Sequence, residues 1–183
     1  FGEKEDFVFA AARWWDEGKN GRLLDEAAPA IRWPLRIAGA AVGPNGECFR
    51  PRHLELLGEQ PHAMVCDLAG RAGIFVSPSL YEPFGLAALE AAQSGAALVL
   101  ADIPTYREIW KGAALFFDPR DAVALADTVN GLADDPALRA ELGERAASRS
   151  SVFTPEAQAV AMLDVYRLVT AAAPVPMAAG ARA

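Results

Sequence analysis

The chain has 183 residues, 52% of them apolar and 22% charged, with a formal net charge of -7. This is the composition of one ordinary globular domain with a sizeable core, or of one large domain with a tail. The acidic balance argues against a broad nucleic-acid surface, and no apolar run reaches the length of a bilayer span.

In chain order, FVFAAA (7–12) reads as a buried strand and EGKNGRLLDEAAPAI (17–31) as a helix. PLRIAG (34–39) is strand-like and leads into a glycine-rich turn, AVGPNGE. HLELLG (53–58) reads as another strand, and HAMVCDLAGRA (62–72) as a helix. GIFVSPS (73–79) is a clear strand, followed by the turn LYEPFG and a helix to about Ser94. AALVLA (96–101) is a strand, PTYREIW a short helix, and ALFFD (114–118) a last strand. Short continuous apolar strands that alternate with helices predict a doubly wound α/β domain with a parallel sheet. In such a domain ligands bind at the carboxyl ends of the strands.

After Asp118 the pattern is helical only. Asp118 or Asp121 is a candidate cap, Asp135-Pro136 suits a first helical turn, and Thr154-Pro155-Glu156 is a third helix start. The expected domain runs from 1 to 172, with a flexible tail over 173–183. The first residues, FGEKED, contain neither a signal peptide nor a methionine, so the chain reads as a piece opened at a domain boundary. Cys48 and Cys66 make neither a C-x-x-C motif nor a zinc site, and read as reduced thiols of a cytoplasmic protein, with a disulfide left open. His53 and His62 have no partners at metal-ligand spacing.

The chemistry concentrates in SLYEPFGLAALEAAQSG (79–95), where Glu82 and Glu90 stand eight positions apart in an apolar stretch. A buried carboxylate is costly unless something satisfies it. Pro83 holds Glu82 extended, and Gly85 lets the backbone approach a ligand closely. The helix that starts near Phe84 or Gly85 points free N–H groups into the crevice, which makes a ready anion site. Glu90 lies roughly 7 Å further along the helix axis, a suitable place to accept hydrogen bonds from a pair of sugar hydroxyls. Glu82, at the mouth, would reach a second sugar. The pattern suggests a nucleotide-sugar site.

Glu82-x7-Glu90 in this setting resembles the E-x7-E signature of retaining glycosyltransferases of family 4, which have the GT-B fold. AARWWDEGKN resembles the segment in which an arginine and a lysine of that family bind a diphosphate. GAALVLADIPTYREIWKGAALFFDPRDAVALADTV is similar to its run into the closing helices. The likeness covers residues 7 to 170, the Rossmann-like donor-binding half of the fold. It implies that Arg13 and Lys19 pair with the diphosphate. The amides of Phe84, Gly85 and Leu86 would contact phosphate or sugar. Glu90 would hold the ribose, and Glu82 would bind the donor sugar beside the anomeric carbon as the catalytic carboxylate. The LLGEQPH loop (56–62) would pass near the base. No cofactor or metal is implied, because cationic side chains and the helix terminus stabilise the leaving group. The partner is a nucleoside diphosphate sugar, and an N-terminal domain absent from this chain would bring the acceptor. The resemblance departs from the family at Ala12, which replaces a glycine, at Ala96-Ala97, which replace a proline, and before Glu108, where a glycine-rich turn is missing.

Simpler readings stand beside these. Glu90 would be a structural carboxylate paired with Arg71 or Arg107, and Glu82 a solvated turn residue. Arg13 and Lys19 would be surface cations flanking Asp16 and Glu17. Trp14 and Trp15 read as packing residues, and Tyr81 and Phe84 as better pocket-lining candidates. At the level of the whole chain the alternatives are a non-catalytic nucleotide-sugar-binding domain, a GT-B-like nucleotide-sugar epimerase, and a flavodoxin-like interaction domain.

Overall fold

The computed structural model describes residues 2–171, so the segment 173–183 expected as a tail lies outside the described residues. Contacts divide the chain into one compact unit that ends at Ser150 and a second that begins at Ser151.

The first unit is built on six strands: β1 (Glu5–Ala11), β2 (Leu35–Ala38), β3 (Glu55–Leu56), β4 (Ala72–Ser77), β5 (Ala97–Ala101) and β6 (Ala114–Phe117). Their order in the sheet is β3-β2-β1-β4-β5-β6, and every pairing is parallel. This is the doubly wound Rossmann order, and the connections reverse direction between β1 and β4. The sequence explains which strands are central. Every residue of AGIFVS in β4 and of ALVLA in β5 is buried, as strands covered on both faces require. Phe9 of β1 meets Phe75 of β4 edge to face, with ring centroids 6.2 Å apart.

Between the strands lie α1 (Gly21–Ala27), α2 (His62–Arg71), α3 (Leu86–Gln93) and α4 (Pro104–Trp110); α5 (Ala122–Asp134) and α6 (Pro136–Ser150) follow β6. The predicted helix over 17–31 is in fact three pieces. A 3-10 turn spans Glu17–Lys19, α1 follows, and a second 3-10 turn covers Ala28–Ala30. Asn20 causes the first break, because its left-handed backbone (φ 56°) cannot continue a helix. Pro29 marks the second. The strand expected over 53–58 shortens to two residues. It is an edge strand paired only with β2, and a short edge limits unwanted pairing. Asp25 also draws the chain just before it onto α1, by accepting from the backbone N–H groups of Arg52 and His53 at 2.8–3.0 Å.

The helix starts follow the expected signals. Asp121 accepts from the Ala124 N–H at 2.9 Å, and Asp135 from that of Leu138 at 2.9 Å. Lys4 staples the start of the chain, donating to the carbonyls of Gly70 (2.7 Å) and Ser94 (2.6 Å) near the ends of α2 and α3. In the second unit, α7 (Pro155–Ala171) starts where Thr154 accepts from the Ala157 N–H at 3.1 Å, and none of its residues is buried. Among the described residues, no helix is long and apolar enough to cross a membrane.

Candidate functional site

The segments that leave β1 and β4 at their carboxyl ends enclose a cavity of about 370 Å³ at the switch point of the sheet. β1 ends at Ala11, so Arg13 and Lys19 fall on its outgoing loop. Asp16 shapes that loop by accepting from the Gly18 N–H at 2.9 Å, which caps the 3-10 turn bearing Lys19. Asn20 then anchors the loop from below, donating to the Pro78 carbonyl at 3.0 Å and the Pro119 carbonyl at 2.9 Å. The Gly18 carbonyl accepts from the Leu80 N–H at 2.9 Å, so the loops after β1 and β4 are bound to each other.

One basic and one acidic group meet inside this frame. Lys19 Nζ donates to Glu82 Oε2 at 2.5 Å, and the two side chains are only 14% and 16% exposed. Glu82 is therefore no solvated turn residue, and Lys19 does not pair with Glu17. Arg13 is different. Its side chain is 65% exposed, lies 3.6 Å from Asp16 and stacks over the Trp15 ring at 5.5 Å, so it sits at the rim in part as the surface cation of the simpler reading.

Gly85 (φ 93°) turns the chain into α3, and no side chain caps that helix. The N–H groups of its first turn therefore lack the usual side-chain acceptor, which is the condition for anion binding at a helix start. The helix begins at Leu86, one or two residues later than the sequence suggested. A Cβ at Gly85 would lie 2.7 Å from Tyr106 Cε1, so glycine also makes room for the floor of the cavity. Tyr106 itself is almost fully buried. Its hydroxyl shares a hydrogen bond of 2.6 Å with that of Ser77, which lies 3.3 Å from the Ser79 hydroxyl. Burial pushes the Tyr106 phenol above its ordinary range. The charge of Glu82 adds to this, while the bonds to Ser77 and Ser79 oppose it.

Arg13, Lys19, Glu82, Phe84, Gly85 and Leu86 all line this cavity, and Glu90 does not. Glu90 is half-buried on α3, and its carboxylate has no hydrogen bond or ion pair among the described residues. Arg71 pairs instead with Glu5 and Asp67, and Arg107 with Asp102, so the structural role considered for Glu90 has no partner. Tyr81, expected to line the pocket, is 71% exposed and outside it. Trp14 is a packing residue as read, buried with its indole N–H donating to the Ala38 carbonyl at 2.8 Å.

Sequence reasoning missed Tyr106, Ser77, Ser79 and Asn20. The available signal was topological, because β4 and β5 are neighbours and the segments that leave them must border the same crevice. A second, more open groove of about 630 Å³ adjoins the cavity through Ala11, Ala12 and Arg13. Glu59 and Gln60 of the 56–62 loop line it together with Trp15. Among the described residues no three His, Cys, Asp or Glu side chains cluster as a metal site, and both cysteines are free thiols.

The model of the family described as "Glycosyl transferases group 1" matches residues 4–149. A glycogen synthase of Mycobacterium tuberculosis (strain H37Rv) is 37% identical over 118 residues, which cover 63% of this chain and 28% of that protein. A D-inositol 3-phosphate glycosyltransferase of Arthrobacter sp. (strain FB24) is 33% identical over 160 residues, covering 81% of this chain and 38% of its own length. The chain thus spans roughly a third of the curated relatives it matches. Among solved structures, sucrose-phosphate synthase from Thermosynechococcus elongatus superposes with a TM-score of 0.80 at 24% identity, over 92% of this chain and 47% of that one. Anabaena HepE, solved in complex with UDP-glucose, gives 0.74 at 18% identity, over 91% and 49%. At these identities the likeness establishes the shared fold.

Proposed function

The chain belongs to the group 1 glycosyl transferases, and on that premise we propose that it is the donor-binding half of a retaining enzyme of family 4. It holds a nucleoside diphosphate sugar at the β1/β4 switch point, and an N-terminal domain outside this chain presents the acceptor hydroxyl. One observation carries the reading. Lys19, Glu82, the left-handed Gly85 and the uncapped start of α3 line a single cavity at the edge where such sheets bind ligands.

In this reading the diphosphate lies against the first turn of α3, with Lys19 and Arg13 as its cations. The sugar meets Glu82, which orients it and supports positive charge developing at the anomeric carbon. Glu90 takes the ribose hydroxyls, and the groove beside Glu59 and Gln60 takes the base. Leaving-group charge is stabilised by the cations and the helix terminus, without a metal. The protein works in the cytoplasm. HepE, which shares the fold, was solved with UDP-glucose, a donor of the class proposed here.

The test uses a longer polypeptide that includes the acceptor half. Proton NMR should show that the transferred sugar keeps the anomeric configuration of the donor, while the 183-residue chain alone gives no transfer. An inverted product would overturn the retaining assignment.

A further inference from the structure

We propose that the Lys19–Glu82 ion pair is a specificity device that favours the intact nucleotide sugar over the free nucleoside diphosphate. The inference rests on the donor-site reading above.

The cavity holds less net positive charge than its cations suggest. Lys19 is neutralised by Glu82 at 2.5 Å, and Arg13 lies at the rim beside Asp16. Among the described residues, neither member of the Lys19–Glu82 pair makes an ion pair with any other group. The loops that carry them are tied together on both sides of Lys19. On one side of Lys19 the Gly18 carbonyl is tied to Leu80, two residues before Glu82. On the other side Asn20 is tied to Pro78 and Pro119.

The ammonium has three N–H donors, so a diphosphate can take those that Glu82 leaves. The diphosphate then lies beside the carboxylate, and taking the third donor displaces that carboxylate. That displacement strands a largely buried carboxylate next to an incoming anion, which is unfavourable on both counts. Sugar hydroxyls resolve the conflict, because they donate to Glu82 in place of the ammonium. A free nucleoside diphosphate brings no such donors, so it binds against the full cost of the exchange. After transfer the same cost promotes departure of the nucleoside diphosphate.

The test is calorimetric, on the full 183-residue chain. Inorganic pyrophosphate is titrated as a base-free probe, and UDP, GDP and ADP are each titrated beside their glucose conjugates. Glu82→Gln keeps the shape and removes the charge. It should tighten pyrophosphate and the bound free nucleotide by about tenfold, and shrink the preference for the conjugate by a similar factor. Glu82→Ala should move the preference in the same direction. Lys19→Gln should weaken pyrophosphate by about tenfold, and it reads the exchange from the other partner if the Glu82 variants do not fold. Unchanged or weaker pyrophosphate binding in Glu82→Gln, or unchanged binding in Lys19→Gln, would overturn the proposal. The donor reading would survive that result if a nucleotide sugar still bound the unmodified chain. If no probe bound any form, the donor reading would fall and the proposal with it.

Discussion

A methyl group on Gly85 would meet Tyr106 Cε1 at 2.7 Å while holding a φ of +93°, a backbone region that side-chain-bearing residues rarely adopt. Steric and conformational terms add at this one position. Gly85→Ala should cost about 1–3 kcal/mol, read as a melting temperature lower by several degrees, and should weaken nucleotide binding because the turn into α3 must shift. A melting curve unchanged within error would show that the turn tolerates a side chain. Gly85 was legible in the sequence as a close-approach glycine, but its second reason was not. The ring it avoids comes from α4, about twenty residues later, and only the packed fold brings the two together. The Lys19–Glu82 pair was hidden for the same reason. The sequence marked each as a ligand-binding residue without indicating that they bind each other.

At the scale of elements, one amide connects three segments. Asn20 breaks the helix expected over 17–31, and its side chain joins the loop after β1 to carbonyls after β4 and after β6. Asn20→Asp separates these two tasks. Aspartate also tolerates the left-handed conformation, but it donates no hydrogen bond and would turn a carboxylate toward two carbonyl oxygens. The expected loss is about 1–3 kcal/mol in urea denaturation, together with weaker Lys19-dependent binding of pyrophosphate. A wild-type midpoint would show that the two bonds hold nothing in place. The strands are more legible in the sequence than this loop. GIFV and AALVLA are apolar throughout, and such runs at this spacing fit few arrangements other than a central parallel strand. HLELLG was over-read because its alternation fits a strand, while the bonds that bend the preceding residues onto Asp25 come from α1.

In the molecule as a whole, half-buried Lys4 and buried Tyr106 shape the alkaline stability profile in opposite directions. Burial pulls the Lys4 amine from 10.5 down to about 8, so the folded chain releases that proton before the unfolded chain does. Stability should rise with pH from about 8 toward 10.5, where the unfolded state binds the extra proton. Tyr106 acts in the other sense. Its phenol is raised in the fold, so above pH 10 the unfolded state ionises first and stability falls. Denaturation series across pH 7–11 should therefore show a rise followed by a fall, the rise lost in Lys4→Met and the fall reduced in Tyr106→Phe. A profile that both substitutions leave unaltered would contradict the burial of these groups.

One comparison decides whether a nucleotide sugar binds at the β1/β4 switch point. The chain and its Glu90→Ala variant are titrated calorimetrically with UDP-, GDP- and ADP-glucose, and their melting curves are recorded alongside. The Glu90 carboxylate has no bonded partner among the described residues, so its removal should leave stability within about 0.5 kcal/mol. One donor should show saturable one-site binding, weakened about tenfold or more in the variant while the melting temperature holds. Binding of none of the three by a folded chain would contradict it, and equal affinity in both proteins would remove Glu90 from the site.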